Sequence, residues 1–307
     1  MIVAVVGAGT IGLSWAALFA ANGHQVRVTD PRPDLQEVVR AGVTELADVL
    51  PGDLLASITT GPDLEAAVTG ADVVQENGPE RIELKQELFA RIEAAAPPHA
   101  LLLSSTSGLM PSDMGASMRE PGRVVVGHPF NPPHVVPLVE VVPGAQTPPE
   151  TVAAAADFYR SLGKVPVVLH KEIGGFVANR LQSAVFREAV HLVLSGVVTP
   201  EELDQVVTES VGVRWATAGP FESYHLGGGP AGIRHLLEHL GPGMVRRWKD
   251  LGQPELTEDV VELISSSTEA RFADQDYADR TAARDRVQLA VLRAREQARE
   301  LGQGQQP

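Results

Sequence analysis

The feature that most constrains the fold is a glycine-rich stretch near the start of the chain, VAVVGAGTIG, at residues 3–12. Three of its glycines have the G-x-G-x-x-G spacing and lie between a strand-like run and a helical run. Such glycines permit a tight turn, close approach of the backbone to a pyrophosphate, and close packing of helix on strand. The alternative is that the three glycines form an ordinary turn without a binding role. The stretch predicts a dinucleotide site whose cofactor contacts are Gly7, Gly9, Thr10, Ile11 and Gly12.

An acid ends the second strand-like run, QVRVTD (25–30), where the dinucleotide fold places a carboxylate on the adenosine ribose. Asp30 is therefore predicted to bind the ribose hydroxyls. A carboxylate there favours NAD, because it repels the 2′-phosphate of NADP. Arg32 leaves an alternative open, since a nearby arginine can accept that phosphate. Its other interpretation is a solvated loop arginine. The predicted cofactor is NAD.

Strand-like and helical runs alternate through the first half of the chain, and helical runs alone follow. Such alternation is typical of a mainly parallel sheet with helices on both faces. The predicted fold class is α/β, a Rossmann-type doubly wound sheet followed by an all-helical C-terminal domain. Predicted strands cover 2–7, 25–30, 71–76, 100–105, 123–128, 138–143 and 164–170, and predicted helices include 10–23, 81–96, 147–163, 176–196 and 199–212. The predicted domains are 1–171 and 172–302, with a flexible tail at 303–307.

Charge and residue content argue against several functions. A formal net charge of −14 is unfavourable for nucleic acid, whose binding depends on basic patches. No run approaches a membrane-spanning length, and the first apolar segment lacks the basic leader of a signal peptide. The chain has no cysteine, which excludes a thiolate-metal site and a cysteine nucleophile. These observations predict a cytoplasmic protein that binds no nucleic acid, membrane or metal.

The segment GHPFNPPHVVPLVE (127–140) places two histidines beside an acid in an apolar run. Histidine suits a proton acceptor for alcohol oxidation because its pKa lies near neutrality. His128 ends a strand-like run, at the edge where open α/β sheets bind ligands, whereas His134 is interpreted as a solvent-facing loop histidine. Glu140 is predicted to pair with His128, fixing its tautomer and stabilising the imidazolium. The alternative is a histidine that caps the strand end.

Three segments, taken in order, resemble the active-site segments of the L-3-hydroxyacyl-CoA dehydrogenase family. They are SSTSGLMPSDM (104–114), VVVGHPFNPPHVVPLVEVV (124–142) and GFVANRLQ (175–182). The resemblance covers nearly the whole chain. It implies a two-domain, NAD-dependent enzyme that forms a homodimer through its helical domain.

By residue match, the resemblance implies that His128 is the catalytic base and Glu140 its partner acid. It also implies that Ser107 lies near nicotinamide and substrate, and that Asn179 binds substrate. The alternatives are a strand-end cap for Ser107 and a domain-interface hydrogen bond for Asn179, while Asn131 is expected to hold the HPFNP turn. The cofactor-binding residues implied in addition are Glu80, Lys85 and Ser107.

Acyl-CoA members of the family carry a lysine-rich helical excursion after the acid that binds the ribose. In this chain residues 31–70 contain no lysine, and the first lysine is Lys85. A CoA ester carries several phosphate charges and would find few cations here. The difference favours a small free 3-hydroxy acid over a thioester.

The segment 212–242 resembles the subgroup that contains L-carnitine dehydrogenase and L-gulonate 3-dehydrogenase (lambda-crystallin). Trp215 and Tyr224 are predicted to line a substrate pocket, where aromatic rings could enclose a quaternary ammonium, with packing at the domain interface as the alternative. Phe221 is interpreted as a domain-interface residue. Arg214 is a candidate for the substrate carboxylate, which a guanidinium can bind bidentately, with a surface salt bridge as the alternative.

The predicted function is NAD-dependent oxidation of the 3-hydroxyl of a small free 3-hydroxycarboxylic acid, similar to carnitine, gulonate or 3-hydroxybutyrate. His128 would act as the general acid and base. One alternative keeps this chemistry on a thioester of CoA or a carrier protein. A second alternative, of a different class, is a catalytically silent NAD-binding or crystallin-like protein, which would need no base with an orienting acid.

Overall fold

The first half of the chain forms one eight-stranded sheet in the computed structural model, which describes residues 1–47 and 49–303. The strands are β1 (Ile2–Val6), β2 (Gln25–Thr29), β3 (Ile58–Gly61), β4 (Val73–Glu76), β5 (Leu101–Ser104), β6 (Val124–Pro129), β7 (Leu138–Pro143) and β8 (Val165–Val168). Their order is β3-β2-β1-β4-β5-β6-β7-β8, and every adjacent pair is parallel except β6 with β7. The strand order reverses at β1. Open parallel sheets bind ligands at such a switch point.

Helices connect most of the parallel strands and make up the rest of the chain. Those of the first half are α1 (Thr10–Ala21), α2 (Leu35–Leu46), α3 (Leu64–Val68), α4 (Ile82–Ala95), α5 (Pro111–Met114) and α6 (Pro149–Ser161). They are followed by α7 (Phe176–Leu194), α8 (Pro200–Val206), α9 (Gly212–Thr217), α10 (Pro220–Gly227), α11 (Gly232–Asp250), α12 (Glu258–Phe272) and α13 (Tyr277–Gln303). A π-helix covers Val207–Val211, and 3-10 turns cover Leu54–Ser57, Gly115–Ser117, Pro121–Arg123 and Gly229–Ala231.

Both faces of the sheet are covered by apolar side chains of the helices. One core cluster packs α1, α2 and α6 against the sheet around the rings of Trp15, Phe19 and Tyr159. The other packs α3 and α4 against the opposite face, around Phe89 and Ile92. This double coverage explains why a strand such as β1, IVAVV, whose last four residues are buried, is continuously apolar rather than alternating. The predicted doubly wound α/β fold is confirmed.

The backbone divides into two compact units, Met1–Arg180 and the residues from Leu181 onward. The second unit is helical throughout its described regular structure. Within it, Arg271 on α12 pairs with Asp204 on α8 at 3.1 Å, and Glu188 on α7 accepts the backbone N–H of Gly252. Among the described residues no helix has both the length and the apolar content needed to cross a membrane. The predicted boundary at 171/172 stays a prediction.

Several predicted boundaries match the structure closely. Thr199, the first residue of the predicted helix 199–212, forms a capping box with Glu202 at the start of α8. The predicted helix at 199–212 instead comprises α8, the π-helix and the first residue of α9, and strand β3 lies in a stretch for which no strand was predicted. The predicted flexible tail, 303–307, lies outside the described residues except for residue 303, which ends α13.

Candidate active site

The glycine loop joins β1 to α1 at the switch point of the sheet. Gly7 has φ of +100°, and a Cβ there would lie 2.9 Å from the backbone of Asn77. A Cβ on Gly12 would lie 2.0 Å from the carbonyl oxygen of Gly7, so both positions require glycine. Gly9 differs, because a Cβ there would meet no atom within 4 Å. Free space at the second glycine is what close approach of a pyrophosphate to the backbone requires.

The N-terminus of α1 is open to an anion. Gly9 is its N-cap, and no side chain of the described residues forms a capping hydrogen bond there. The first backbone N–H groups of a helix have no intrahelical partner and attract negative charge. Thr10 and Ile11 begin the helix at this end. The residues present therefore fit a dinucleotide phosphate.

Asp30 lies beside the glycine loop, immediately after β2. Its Oδ2 accepts the N–H of Ala8 at 2.9 Å, and its Oδ1 accepts the N–H of Arg32 at 3.1 Å. The Arg32 guanidinium turns to Asp34, with Nε–Oδ1 and Nη2–Oδ2 distances of 2.7 and 3.1 Å. A guanidinium occupied by a carboxylate in this bidentate manner is not free for a 2′-phosphate. The loop-arginine interpretation of Arg32 is therefore favoured, as is NAD over NADP.

His128 and Glu140 face each other across the antiparallel pair β6–β7. The strand register pairs the two residues directly, and His128 Nδ1 lies 2.9 Å from Glu140 Oε2. Both side chains are almost completely buried. Since Nδ1 faces the carboxylate, Nε2 is the nitrogen left to exchange a proton with a ligand. The predicted contact between these residues is present.

Glu140 also holds the start of α7, a contact that the sequence did not indicate. Its Oε1 accepts the backbone N–H groups of Val177 and Ala178 at 2.9 and 3.0 Å. Burial raises the pKa of the Glu140 carboxyl, but the hydrogen bonds from His128, Ala178 and Val177 together lower it by more. The resulting pKa lies below the ordinary value. The carboxylate is thus ionised at neutral pH although its surroundings are apolar.

Two aromatic rings confine the imidazole of His128. The Phe130 and Phe176 ring centroids lie 4.9 and 5.4 Å from that of His128. Phe176 has φ of +49°, which L-residues rarely adopt and which costs on the order of 1–2 kcal/mol. It follows Gly175 and precedes the first helical N–H groups that bind Glu140. This backbone conformation allows the Phe176 ring to pack on His128 while the next N–H groups of α7 bind Glu140.

Ser107 and Asn179 are brought together by a hydrogen bond. Asn179, in the first turn of α7, donates from Nδ2 to the Ser107 carbonyl at 3.2 Å. Ser107 follows β5, and His128 is the second-last residue of the neighbouring strand β6, so both residues lie at the carboxyl edge of adjacent strands. The serine side chain is exposed, and its hydroxyl makes only a long hydrogen bond to Glu80 Oε1, at 3.4 Å, so a ligand could compete for it.

Glu80 organises the loop that carries Ser107. Its Oε1 accepts the Ser107 and Gly108 N–H groups at 3.0 and 3.1 Å and the Thr106 hydroxyl at 2.5 Å. The carboxylate therefore fixes the backbone of Ser107 and Gly108 and the side chain of Thr106. Contact of Glu80 with a cofactor stays a prediction.

Lys85 lies inside the protein, with 1% of its surface exposed. Its Nζ is 2.8 Å from both oxygens of Glu76, which is fully buried, and 3.8 Å from Glu80. Ser104 Oγ donates to the same Glu76 carboxylate at 2.6 Å. The ammonium mainly neutralises a buried acid, and its contact with cofactor stays a prediction. Glu76 was missed, although an acid in the apolar run ADVVQE gives the same signal as Glu140.

His134 lies in the β6–β7 connection, as predicted, but it is half-buried and its imidazole is held by a side chain of α1. Its Nδ1 lies 3.0 Å from Ser14 Oγ, and its backbone N–H donates to the same oxygen at 3.0 Å. Ser14 belongs to α1, 120 positions earlier in the chain. Nothing in the local sequence around His134 indicates a partner at that separation.

The predicted substrate residues of the second domain lie on two consecutive helices. Arg214 and Trp215 belong to α9, directly after the π-helix, and Tyr224 belongs to α10. All three are exposed, as is Phe221, which had been interpreted as an interface residue. Single-turn π-helices often occur at functional sites. Substrate contacts of Arg214, Trp215 and Tyr224 stay predictions.

The glycine loop, the carboxylate after β2 and a histidine–carboxylate pair at the strand edge define a nicotinamide-dependent dehydrogenase. Residues 2–173 match the family model for the 3-hydroxyacyl-CoA dehydrogenase NAD binding domain, and residues 175–263 match the model for its C-terminal domain. The chain belongs to the 3-hydroxyacyl-CoA dehydrogenase family. It is an NAD-dependent oxidoreductase.

Curated relatives and solved structures agree with this assignment. The chain is 42% identical over 298 residues to an L-carnitine dehydrogenase of Streptomyces coelicolor, covering 95% of this chain and 94% of the relative. It is 41% identical to an L-carnitine dehydrogenase of a Pseudomonas species, covering 95% and 92% of the two chains.

Among solved structures, an NAD⁺-dependent dismutase described as 5-formyl-3-hydroxy-2-methylpyridine 4-carboxylic acid 5-dehydrogenase superposes with a TM-score of 0.80. It is 32% identical, and the match covers 96% of this chain and 98% of that one. A 3-hydroxyacyl-CoA dehydrogenase from Archaeoglobus fulgidus is 29% identical with a TM-score of 0.68, and the match covers 87% of each chain.

Proposed function

We propose that this protein oxidises the 3-hydroxyl of a small free 3-hydroxycarboxylic acid to the 3-keto acid, with a carnitine-like acid as the preferred substrate. The observation that carries the proposal is the His128–Glu140 pair, 2.9 Å apart on facing strands of an NAD-binding sheet. A titratable group with an orienting carboxylate is what removal of a hydroxyl proton requires. A catalytically silent NAD-binding protein would not require such a histidine–carboxylate pair.

In the proposed reaction His128 Nε2 takes the proton of the substrate hydroxyl, and the Glu140 carboxylate stabilises the imidazolium that results. Bound NAD would supply the acceptor for the hydride that leaves C3, so that the overall products would be the keto acid, NADH and one proton. The Ser107 hydroxyl donates a hydrogen bond to the reacting oxygen, and Asn179 orients the substrate beside it. Glu80 keeps the Ser107 loop in place through its bonds to the loop backbone.

The charge distribution supports a free acid over a CoA ester. The chain has four lysines, of which Lys85 and Lys164 are buried. Helix α2 and the rest of residues 31–70 contain no lysine at all. L-carnitine dehydrogenases, whose name denotes a free acid, are about 42% identical to this chain over most of its length. Arg214 is proposed to bind the substrate carboxylate, and Trp215 and Tyr224 to contact its ammonium or apolar end.

A rate screen with NAD tests the substrate assignment. L-Carnitine, L-gulonate, L-3-hydroxybutyrate and 3-hydroxybutyryl-CoA would each be offered at matched concentrations, and NADH formation would be followed by its absorbance. A free acid is expected to give the highest kcat/KM, by about 10²-fold over the thioester. Turnover of 3-hydroxybutyryl-CoA without turnover of any free acid would support the thioester alternative. The similar structure from A. fulgidus is named a 3-hydroxyacyl-CoA dehydrogenase.

We propose in addition that the protein is a homodimer assembled through its helical unit. In the described part of that unit the buried hydrophobic side chains are Ala189, Val190 and Leu236. Large apolar side chains are instead exposed, among them Leu181 and Phe186 on α7, at 59% and 56%. Exposed apolar surface of this extent is typical of an interface rather than of a monomer surface.

Sedimentation equilibrium tests the dimer. The wild-type protein is expected to sediment at about twice the chain mass of 32.6 kDa. Phe186→Asp introduces a charge at an exposed apolar residue of α7 and is expected to weaken association by at least about tenfold. Gln297→Asp, at an exposed position of α13, serves as the charge control. A wild-type protein that sediments as a monomer at micromolar concentration would contradict the dimer.

A further inference from the structure

The connection between β6 and β7 is a compact turn, and it is fixed from two sides. Within it, Val135 and Val136 both donate their N–H groups to the Pro132 carbonyl at 3.0 Å. The turn leads directly from His128, at the end of β6, to Glu140, on β7. Its position therefore bears on the placement of both members of the pair.

The first fixed point is Ser14 of α1. This serine is 3% exposed and lies one helical turn after Thr10, where α1 begins at the glycine loop. Its Oγ accepts the His134 backbone N–H, and its hydroxyl proton is then available to His134 Nδ1, which is also 3.0 Å away. One side chain of the cofactor helix thus holds both the backbone and the imidazole of His134.

The second fixed point is Lys164, just before β8. Its ammonium donates to the carbonyls of Pro133 and Val136, the latter at 2.7 Å, and lies 5.7 Å from the Trp15 ring centre. Burial lowers the pKa of Lys164 to about 8, so its charge is disfavoured in this position. A cation kept in such surroundings satisfies carbonyls that would otherwise be buried without a donor.

We propose that His134 is a positioning residue, which with Ser14 ties the turn between His128 and Glu140 to the cofactor-binding helix. Lys164 fixes the carbonyls on either side of it. The proton acceptor and the phosphate-binding end of α1 then form one rigid assembly, and the distance between base and cofactor is set by this contact. The inference rests on the proposed function, because it needs His128 as the base.

Three variants test the contact. Ser14→Ala removes the shared hydroxyl, and His134→Leu keeps side-chain bulk without the hydrogen bond. Each is expected to lower kcat by about tenfold, since small misplacement of a reacting group is costly, and the double variant is expected to be no worse than either single one. His134→Asn, whose Oδ1 can replace Nδ1 towards Ser14, is expected to recover most of the rate. His170→Leu changes an exposed histidine of the same unit and serves as the control.

Activity would be measured with L-carnitine and with the acid of highest rate in the screen. Independently of turnover, the NMR signal of the His128 ring Cε1–H would be followed, with His128→Asn used for assignment. A shift of that signal in both Ser14→Ala and His134→Leu supports the positioning role. An unchanged signal, or an unchanged kcat with a lowered Tm, would reduce His134 to a stability contact. A wild-type protein without turnover but with the NMR shift would refute the proposed function and leave the positioning contact standing.

Discussion

His128→Asn is expected to lower kcat by about 10³–10⁴-fold while leaving NAD binding unchanged. Asparagine can keep a hydrogen bond to Glu140 through Nδ2, so the strand pair and the start of α7 are preserved. It cannot take up a proton near neutral pH, and the substrate hydroxyl then has no acceptor. The cofactor residues, namely the glycine loop and Asp30, make no hydrogen bond to His128 among the described contacts. NADH binding measured by fluorescence titration checks the second half of the expectation.

The control for this variant is His99→Asn, which changes an exposed histidine two residues before β5. Its kcat is expected to remain within about twofold of the wild-type value, as for surface substitutions away from special contacts. If His128→Asn retained most of the wild-type turnover, the base would lie elsewhere and the mechanism would be wrong. If it lost NADH affinity as well, His128 would belong to the cofactor site.

Glu140→Gln is expected to lower kcat by about 10²–10³-fold and to destabilise the protein. The neutral amide cannot stabilise the imidazolium that forms when His128 takes its proton. One amide oxygen must also replace two carboxylate oxygens, which together bind His128, Val177 and Ala178. Loss of charge-assisted hydrogen bonds in a buried site costs about 1.5–3 kcal/mol each. Steady-state kinetics and urea unfolding measure the two effects separately.

The stability difference between wild type and Glu140→Gln is expected to depend on pH. Because the folded protein lowers the pKa of Glu140 below its ordinary value of 4.5, the ionised carboxyl stabilises the fold. That contribution is complete above the unfolded-state pKa and is lost as the pH falls through the folded-state pKa. Urea midpoints of the two proteins should therefore differ at pH 7 and converge in the acid range. A difference that stayed constant with pH would mean that the carboxyl is not held ionised by these bonds.

The parts of this protein that sequence predicted correctly are those set by local patterns. The strand–glycine–helix order at residues 2–23 fixes β1 and α1, and the cap at Thr199 fixes the start of α8. His128 was selected by its place at a strand end, and the family resemblance paired it with Glu140. In each case the relevant residues lie within one turn, one strand or one short connection of each other.

The parts that sequence did not predict depend on residues far apart in the chain. Ser14 contacts His134 because α1 packs against the β6–β7 turn in the fold. The hydrophobic periodicity of the sequence does not predict this packing. Glu140 meets the N–H groups of α7 for the same reason. Strand β3 was missed because its residues ITTG alternate poorly, and its pairing with β2 supplies what the local sequence lacks.

The antiparallel pairing of β6 with β7 has one more consequence. In a strand, side chains alternate between faces, so a slip of one residue in this pairing would turn Glu140 to the opposite face of the sheet, away from His128. The slipped chain would leave a carboxylate in the core without its three donors, and it would have no catalytic pair. The pair proposed for catalysis therefore also favours the native register of β6 and β7 over a register shifted by one residue.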